Sequence, residues 1–214
     1  MQVARLVLGA LDTNCWVVGD DSGGPVVVID PAAEPQAVLE VVGARSIASV
    51  VLTHGHFDHI GAVRSLVEAT GAPFAVHRLD ADAVVDAERN GGALFGFDVS
   101  APEPSQLLAH GDEIVVGEVI LRVLHTPGHT PGGICLLARD AGDAVHLFSG
   151  DTLFAGSVGR TDFPGGDAHA LSSSIADRLA ALDSSILVHP GHGPDTTIGR
   201  ESRVNFFWPR GGSS

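Results

Sequence analysis

The 214-residue sequence has no lysine and no tyrosine, one methionine and two cysteines. Two cysteines cannot build the disulfide framework of a small secreted scaffold, and Cys15 and Cys135 lack metal-ligand spacing. Cys135 lies in an apolar run, where a buried, inert thiol is expected. Without lysine, all 12 basic residues are arginine, so any cationic clamp on a substrate must be a guanidinium. Against them stand 26 acidic residues, giving a formal net charge of −14. That balance repels phosphate backbones and anionic lipid, which argues against nucleic-acid or membrane-surface binding through a basic patch. Long apolar runs are also missing: none approaches the roughly 20 residues needed to span a bilayer. The opening segment MQVARLVLGALDTNCWVVG loses its apolar character at Asp12 and carries neither a long h-region nor a small-residue cleavage site. A cytosolic protein is the expectation.

What is present is 44% hydrophobic and 18% charged, with a mean hydropathy of +0.25, the profile of a compact enzyme. A single domain over residues 1–210 is expected, with 211–214 as a frayed tail. Short runs rich in Val, Ile and Leu, punctuated by Gly, Pro and Asp, predict strands at Val3–Leu8, Cys15–Val18, Val26–Ile29, Val50–Leu52, Ile114–Val116, Val119–Leu124, Ile134–Leu137, Val145–Phe148 and Ile186–Val188. Helical patterns cover Glu34–Val42, Asp58–Thr70, Leu79–Arg89 and Leu171–Leu182, with Gly43 and Gly71 as stops. Two comparable halves of this kind suggest two sheets packed face to face with helices outside. Asn90–Ser105 reads as a surface connection between the halves that could line a cleft. Phe206, Phe207 and Trp208 read as an apolar plug for a core edge or as a partner-binding patch.

The sharpest local signal is His54-Gly-His56-Phe-Asp58-His59, four potential ligands in six residues directly after an apolar strand. In an extended or looped segment His54 and His56 can project to one side, while Asp58 and His59 open the next helix and can face a second ion. Three further strands run into glycine-containing turns that end on a ligand type: His129 after Leu121–Leu124, Asp151 after Val145–Phe148, and His192 after Ile186–Val188. If those strand ends share one edge, five histidines and two carboxylates converge on two cations. Taken singly, each residue has a plainer reading: Asp58 as a helix N-cap, Asp151 as a turn residue, any histidine as a surface or satisfied core group. His77, His110, His125, His146, His169 and His189 are given that plainer reading; the set of seven is not.

The order HxHxDH, TPGHT, SGD, HPGHG resembles the metallo-β-lactamase superfamily over most of the chain. The resemblance implies an α+β fold, the four-layer αββα sandwich. It further implies that His54, His56 and His129 bind one metal, Asp58, His59 and His192 the other, and that Asp151 bridges them. The segment Leu153–Gly166, with Gly159-Arg160-Thr161-Asp162-Phe163, is similar to the short bacterial glyoxalase II-like subgroup, hydrolases of glutathione thioesters. Longer members hold glutathione with a Lys or Arg in this region and with a C-terminal helical domain. Arg160 fits the cationic position, and too few residues follow His192 for the helical domain.

The reaction these resemblances imply is hydrolysis of a small-molecule thioester of the S-lactoylglutathione type by metal-activated water, with Asp58 shuttling the water's proton and Arg160 anchoring a carboxylate of the thiol carrier. A loop-bracing salt bridge is the competing role for Arg160. Two divalent ions are expected, zinc by default, with iron or manganese suited to the same thiolate-free ligands. The rivals are an Fe(II) persulfide dioxygenase, using His54, His129 and Asp151 alone, and a lactonase on the same scaffold. A monomer or homodimer is expected.

Overall fold

The computed structural model describes residues 1–139 and 145–210, so the 211–214 tail lies outside the described residues. Two six-stranded sheets form the frame. The first runs β1 (Gln2–Leu8), β2 (Thr13–Gly19), β3 (Val26–Ile29), β4 (Ile47–Val51), β5 (Phe74–His77) and β6 (Gln106–Leu108) in spatial order. It is antiparallel up to β3 and parallel beyond. The second runs β12 (Thr196–Thr197), β11 (Leu187–Pro190), β10 (Val145–Gly150), β9 (Ile134–Arg139), β8 (Val119–His125) and β7 (Glu113–Val116), antiparallel except for β10 with β11.

The period-2 alternation of these strands builds the layers. In β3, Val26 and Val28 face a core shared with helices α1 (Pro35–Val42), α2 (Phe57–Ile60) and α3 (Val63–Thr70). Val27 and Ile29 face the opposite sheet, where they join Leu121, Val123, Leu136 and Phe148. In β9, Ile134, Leu136 and Ala138 point into that intersheet core, while Cys135 and Leu137 meet Leu171, Ile175 and Leu179 on the far side. Those last residues belong to α5 (Ala168–Ser174) and the wider turn Ile175–Leu179 that continues it. The result is the four-layer αββα sandwich. Both cysteines are buried, and burial pushes their thiols up, Cys135 to about 11.

Several elements differ from the sequence-based expectation. The helix expected over Asp58–Thr70 is broken into α2 and α3, because a side chain at Gly61 would collide with the Ala32 carbonyl and Ala62 N–H donates to Pro31 O at 2.9 Å. Leu79–Arg89 contains only the turn α4 (Ala81–Val84). Strands β5, β6 and β12 were not expected, being two to four residues long. Because β6 completes the first sheet, the chain crosses to the second sheet after Leu108, not within Asn90–Ser105. Trp208 does plug the helix-side core, whereas Phe206 is 84% exposed. Among the described residues no helix is long and apolar enough to cross a membrane.

Candidate metal centre

The ligand-type side chains stand on loops that leave neighbouring strand ends. The β4 strand feeds His54 and His56, and α2 carries Asp58 and His59. The loops after β8, β10 and β11 carry His129, Asp151 and His192. The two sheets are stitched together at this edge. Ile134 N–H donates to Thr53 O at 2.8 Å, Asn14 N–H to Gly191 O at 2.7 Å, and the Asn14 amide to Pro190 O and Gly193 O. Gly150, at φ 46°, sits where a side chain would collide with that of Thr53, so the Asp151 loop can lie against the His54 loop.

All seven residues come together. His54, His56 and His129 form one triad, Asp58, His59 and His192 another, and Asp151 lies between, within reach of His54 and His59. The nitrogens His56 Nδ1 and His129 Nε2 are 2.8 Å apart, and His129 Nε2 and His54 Nε2 are 3.2 Å apart. Asp151 places Oδ1 3.5 Å from His59 Nε2, and Oδ2 3.4 Å from His129 Nε2 and 3.7 Å from His192 Nε2. Asp58 Oδ2 is 3.2 Å from His192 Nε2.

The outward nitrogens are held by other groups, which fixes the rings. His54 Nδ1 lies 3.1 Å from Thr53 Oγ1, whose own proton goes to Asp30 Oδ2 at 2.7 Å. His129 Nδ1 donates to Arg160 O at 2.7 Å and His192 Nδ1 to Leu11 O at 3.1 Å. His59 Nδ1 is 3.0 Å from Asp30 Oδ2. Asp30 is buried and held at a left-handed φ of 51°, a strain of about 1–3 kcal/mol that non-glycine residues accept where surrounding structure demands it. Asp80, also buried, accepts from Gly55 N at 2.9 Å, Thr130 Oγ1 at 2.7 Å and Gly132 N at 2.6 Å, tying the loop of His54 and His56 to the loop of His129. Neither aspartate stands out in the sequence: one follows an apolar strand before Pro31, the other caps a short turn.

A cation fits this donor set. His59 Nε2 and Asp151 Oδ1 are buried without a hydrogen-bond partner, an arrangement that costs free energy unless something else satisfies them. Ligand atoms around a tetrahedral ion with bonds of about 2.0–2.1 Å lie roughly 3.3 Å apart, close to the separations between the histidine nitrogens. The electrostatics divide the centre. Burial drives His54 well below its ordinary value and His56 down to about 3, so both are neutral donors. Burial opposes a proton on His59, yet Asp58, Asp30 and Asp151 together raise it to about 10. Burial would lift Asp58, but His59 and the hydrogen bond from His192 hold its carboxyl below the usual range. A carboxylate-rich pole that draws positive charge thus adjoins a pole of neutral imidazoles.

A cavity of about 420 Å³ opens over the ligands between Leu11, Phe57, Phe95, Phe154 and Phe163. Arg160 lies at its rim, half-exposed, with Nε 2.7 Å and Nη2 2.8 Å from the two oxygens of Asp162 and its guanidinium 3.7 Å from the Phe163 ring centroid. The structure therefore places Arg160 at the mouth but closed on a neighbouring carboxylate, the loop-bracing arrangement. Phe95 and Phe97 show that the 90–105 segment does line the cleft, through Phe57, which stacks on both at 5.6 and 5.2 Å.

Residues 8–192 match the family model of the metallo-beta-lactamase superfamily. The hydroxyacylglutathione hydrolase GloC of Haemophilus influenzae is 33% identical over 211 residues, covering 97% of this chain and 98% of that one. Among solved structures, the B3 metallo-beta-lactamase BLEG-1 superposes with a TM-score of 0.89 at 34% identity, covering 96% of this chain and 99% of that one. The protein TTHA1623, solved in a di-iron-bound form, gives 0.80 at 40% identity, covering 96% and 100%. ETHE1 from Myxococcus xanthus gives 0.77 at 31% identity, covering 96% and 84%. Ligand order, two-sheet frame and these likenesses agree, and the chain belongs to the metallo-β-lactamase superfamily.

Proposed function

We propose that this chain is a binuclear metal-dependent hydrolase that cleaves a thioester of a low-molecular-weight thiol. The observation that carries the reading is the convergence of both triads, with Asp151 between them, under one cavity. In this reading His54, His56 and His129 would hold one ion and Asp58, His59 and His192 the second, with Asp151 placed between the two sets. When bound, such ions supply Lewis acidity to the acyl carbonyl and acidify water toward a pKa of about 7. Zinc is the default, and the di-iron form of TTHA1623 keeps iron in play for a donor set without thiolate.

The chain's own residues do the rest. Asp58, whose carboxylate lines the cavity 3.2 Å from His192 Nε2, would accept the proton of the attacking water. The outward hydrogen bonds of His54, His129 and His192 keep the ring nitrogens aimed inward. Leu11, Phe57 and Phe163 exclude bulk water from the carbonyl. A thiolate leaves readily, so a separate strong acid is unnecessary. The likeness to GloC supports a thioester over the β-lactam ring suggested by the name of BLEG-1, since the glyoxalase-like stretch Gly159–Phe163 borders the cavity.

Similarity to ETHE1 favours one second reading, a persulfide dioxygenase using His54, His129 and Asp151 with a single iron. It leaves the triad of Asp58, His59 and His192 without a task. Assays of thioester hydrolysis, S-lactoylglutathione included, run beside persulfide-dependent oxygen uptake test the two. Hydrolysis abolished by a chelator and restored by added metal is the expected result; oxygen uptake with intact thioester would overturn the proposal.

A further inference from the structure

Beside the metal centre lies a second cavity, of about 290 Å³, that shares Leu11, Phe57 and Asp58 with the first and continues past them between Ala33, Phe97 and Val99. Its size is near the lower end of the roughly 300–1,000 Å³ typical of small-molecule pockets. The walls are largely apolar, and two of their large side chains stay open to solvent: Leu11 is 50% exposed and Phe97 39%. Large apolar side chains that stay this open beside a site mark a surface that an apolar ligand can cover.

Charge narrows the occupant. The charged side chains lining the second cavity are Asp58 and Glu34, the latter accepting from Gly9 N at 3.1 Å. No basic side chain lines it among the described residues. In the first cavity Arg160 is the one basic side chain besides the histidines, and Asp162 already occupies its fork. A carboxylate or phosphate that passed Asp58 into the second cavity would meet Glu34 with no basic side chain beside it.

We propose that the acyl group of the substrate is an uncharged hydrocarbon chain, running from the metal centre past Leu11 into the pocket formed by Phe57, Phe97 and Val99. The inference rests on the thioester-hydrolase reading for its chemistry: the acyl carbon–sulfur bond breaks, water supplies the new carbon–oxygen bond, and the thiol leaves with a proton. For its geometry it rests only on the cavity.

The test uses zinc-loaded protein and straight-chain thioesters of N-acetylcysteamine, a neutral carrier, from acetyl through octanoyl. Each methylene buried in the pocket is worth about a fourfold rise in kcat/KM, the factor that corresponds to about 0.8 kcal/mol. The rate constant should climb on that scale until the pocket fills, and hexanoyl thioester should outpace S-lactoylglutathione at least tenfold. Phe97→Ser and Val99→Ser should flatten the climb. A rate that is flat or falls with chain length, or lactoyl preferred over hexanoyl, would overturn the inference. A separate measurement, methyl NMR of Leu11 and Val99 during titration with hexanamide, does not need turnover. If every thioester is left intact, the hydrolase reading fails on its own. Saturable shifts of those methyls with hexanamide, larger than with hexanoate, then still support the pocket, and unmoved methyls reject it.

Discussion

Removing the Asp30 carboxylate would leave Thr53 N–H and Thr53 Oγ1–H without their shared buried acceptor and take the carboxylate 3.0 Å from His59 Nδ1 away from that ring. Groups that orient metal ligands from outside typically cost about 10–100-fold in metal affinity when lost, and each stranded buried donor about 1–3 kcal/mol. Asp30→Ala is therefore expected to weaken metal retention by that factor in a chelator competition and to lower Tm, although Asp30 itself faces away from the two triads' shared cavity. His77 gives a residue-scale prediction away from the centre. It is buried, stacks on His125 at 4.1 Å, and is lowered to about 4 by burial and then by His125. A depressed folded value means that the unfolded chain binds the proton first. Stability is thus intact above about pH 6.5 and falls as pH drops toward 4, by at most about 1.4 kcal/mol per pH unit from this group. His77→Phe keeps a ring in place, and denaturant melts at pH 7, 5.5 and 4.5 should show a shallower acid loss than in the parent.

At the scale of elements, the centre depends on loops held by one another more than on any strand. Asp80 at the start of α4 joins two ligand loops through three donors. Asn at this position offers one carbonyl oxygen and turns an NH₂ toward N–H groups. Asp80→Asn should lower stability by about 1–3 kcal/mol and speed hydrogen exchange at Gly55 and Gly132 before it unfolds the chain. The elements that the sequence makes legible are those with two buried faces. In β3 and β9, apolar runs alternate between two cores, and their length and bounding glycines and acids identify them. Strand β5, with the four residues Phe74–His77, and β6, with three, carry too little pattern to separate from loop, and the pairing of β5 to β4 and of β6 to β5 decides them. Helix α2 was hidden differently: its break from α3 comes from the approach of the Ala32 backbone to Gly61, a contact 29 positions away that no local propensity encodes. The candidate ligands are legible because of their density in residues 54–59 and because the strand–turn–ligand placement repeats at His129, Asp151 and His192. Asp30 and Asp80 were not, since a lone aspartate at a turn looks the same with or without a histidine behind it. The fork of Arg160 closed on Asp162 likewise depends on loop conformation, which spacing does not set.

At the scale of the molecule, the αββα sandwich brings the loops of two sheets to one edge, so that ligand-type side chains from residues 54 to 192 meet without long side chains. Asp30, Asp58 and Asp151 place three carboxylates at that edge, which would offset the cost of holding two dications there. In the proposed reaction both triads hold metal and act together. Elemental analysis of anaerobically purified protein, parent against His192→Ala, tests it most directly. About two metal equivalents per chain are expected in the parent and about one in the variant, with thioester hydrolysis lost along with the second equivalent. One iron per chain in both proteins, with hydrolysis absent and persulfide-dependent oxygen uptake unchanged by the substitution, would contradict it.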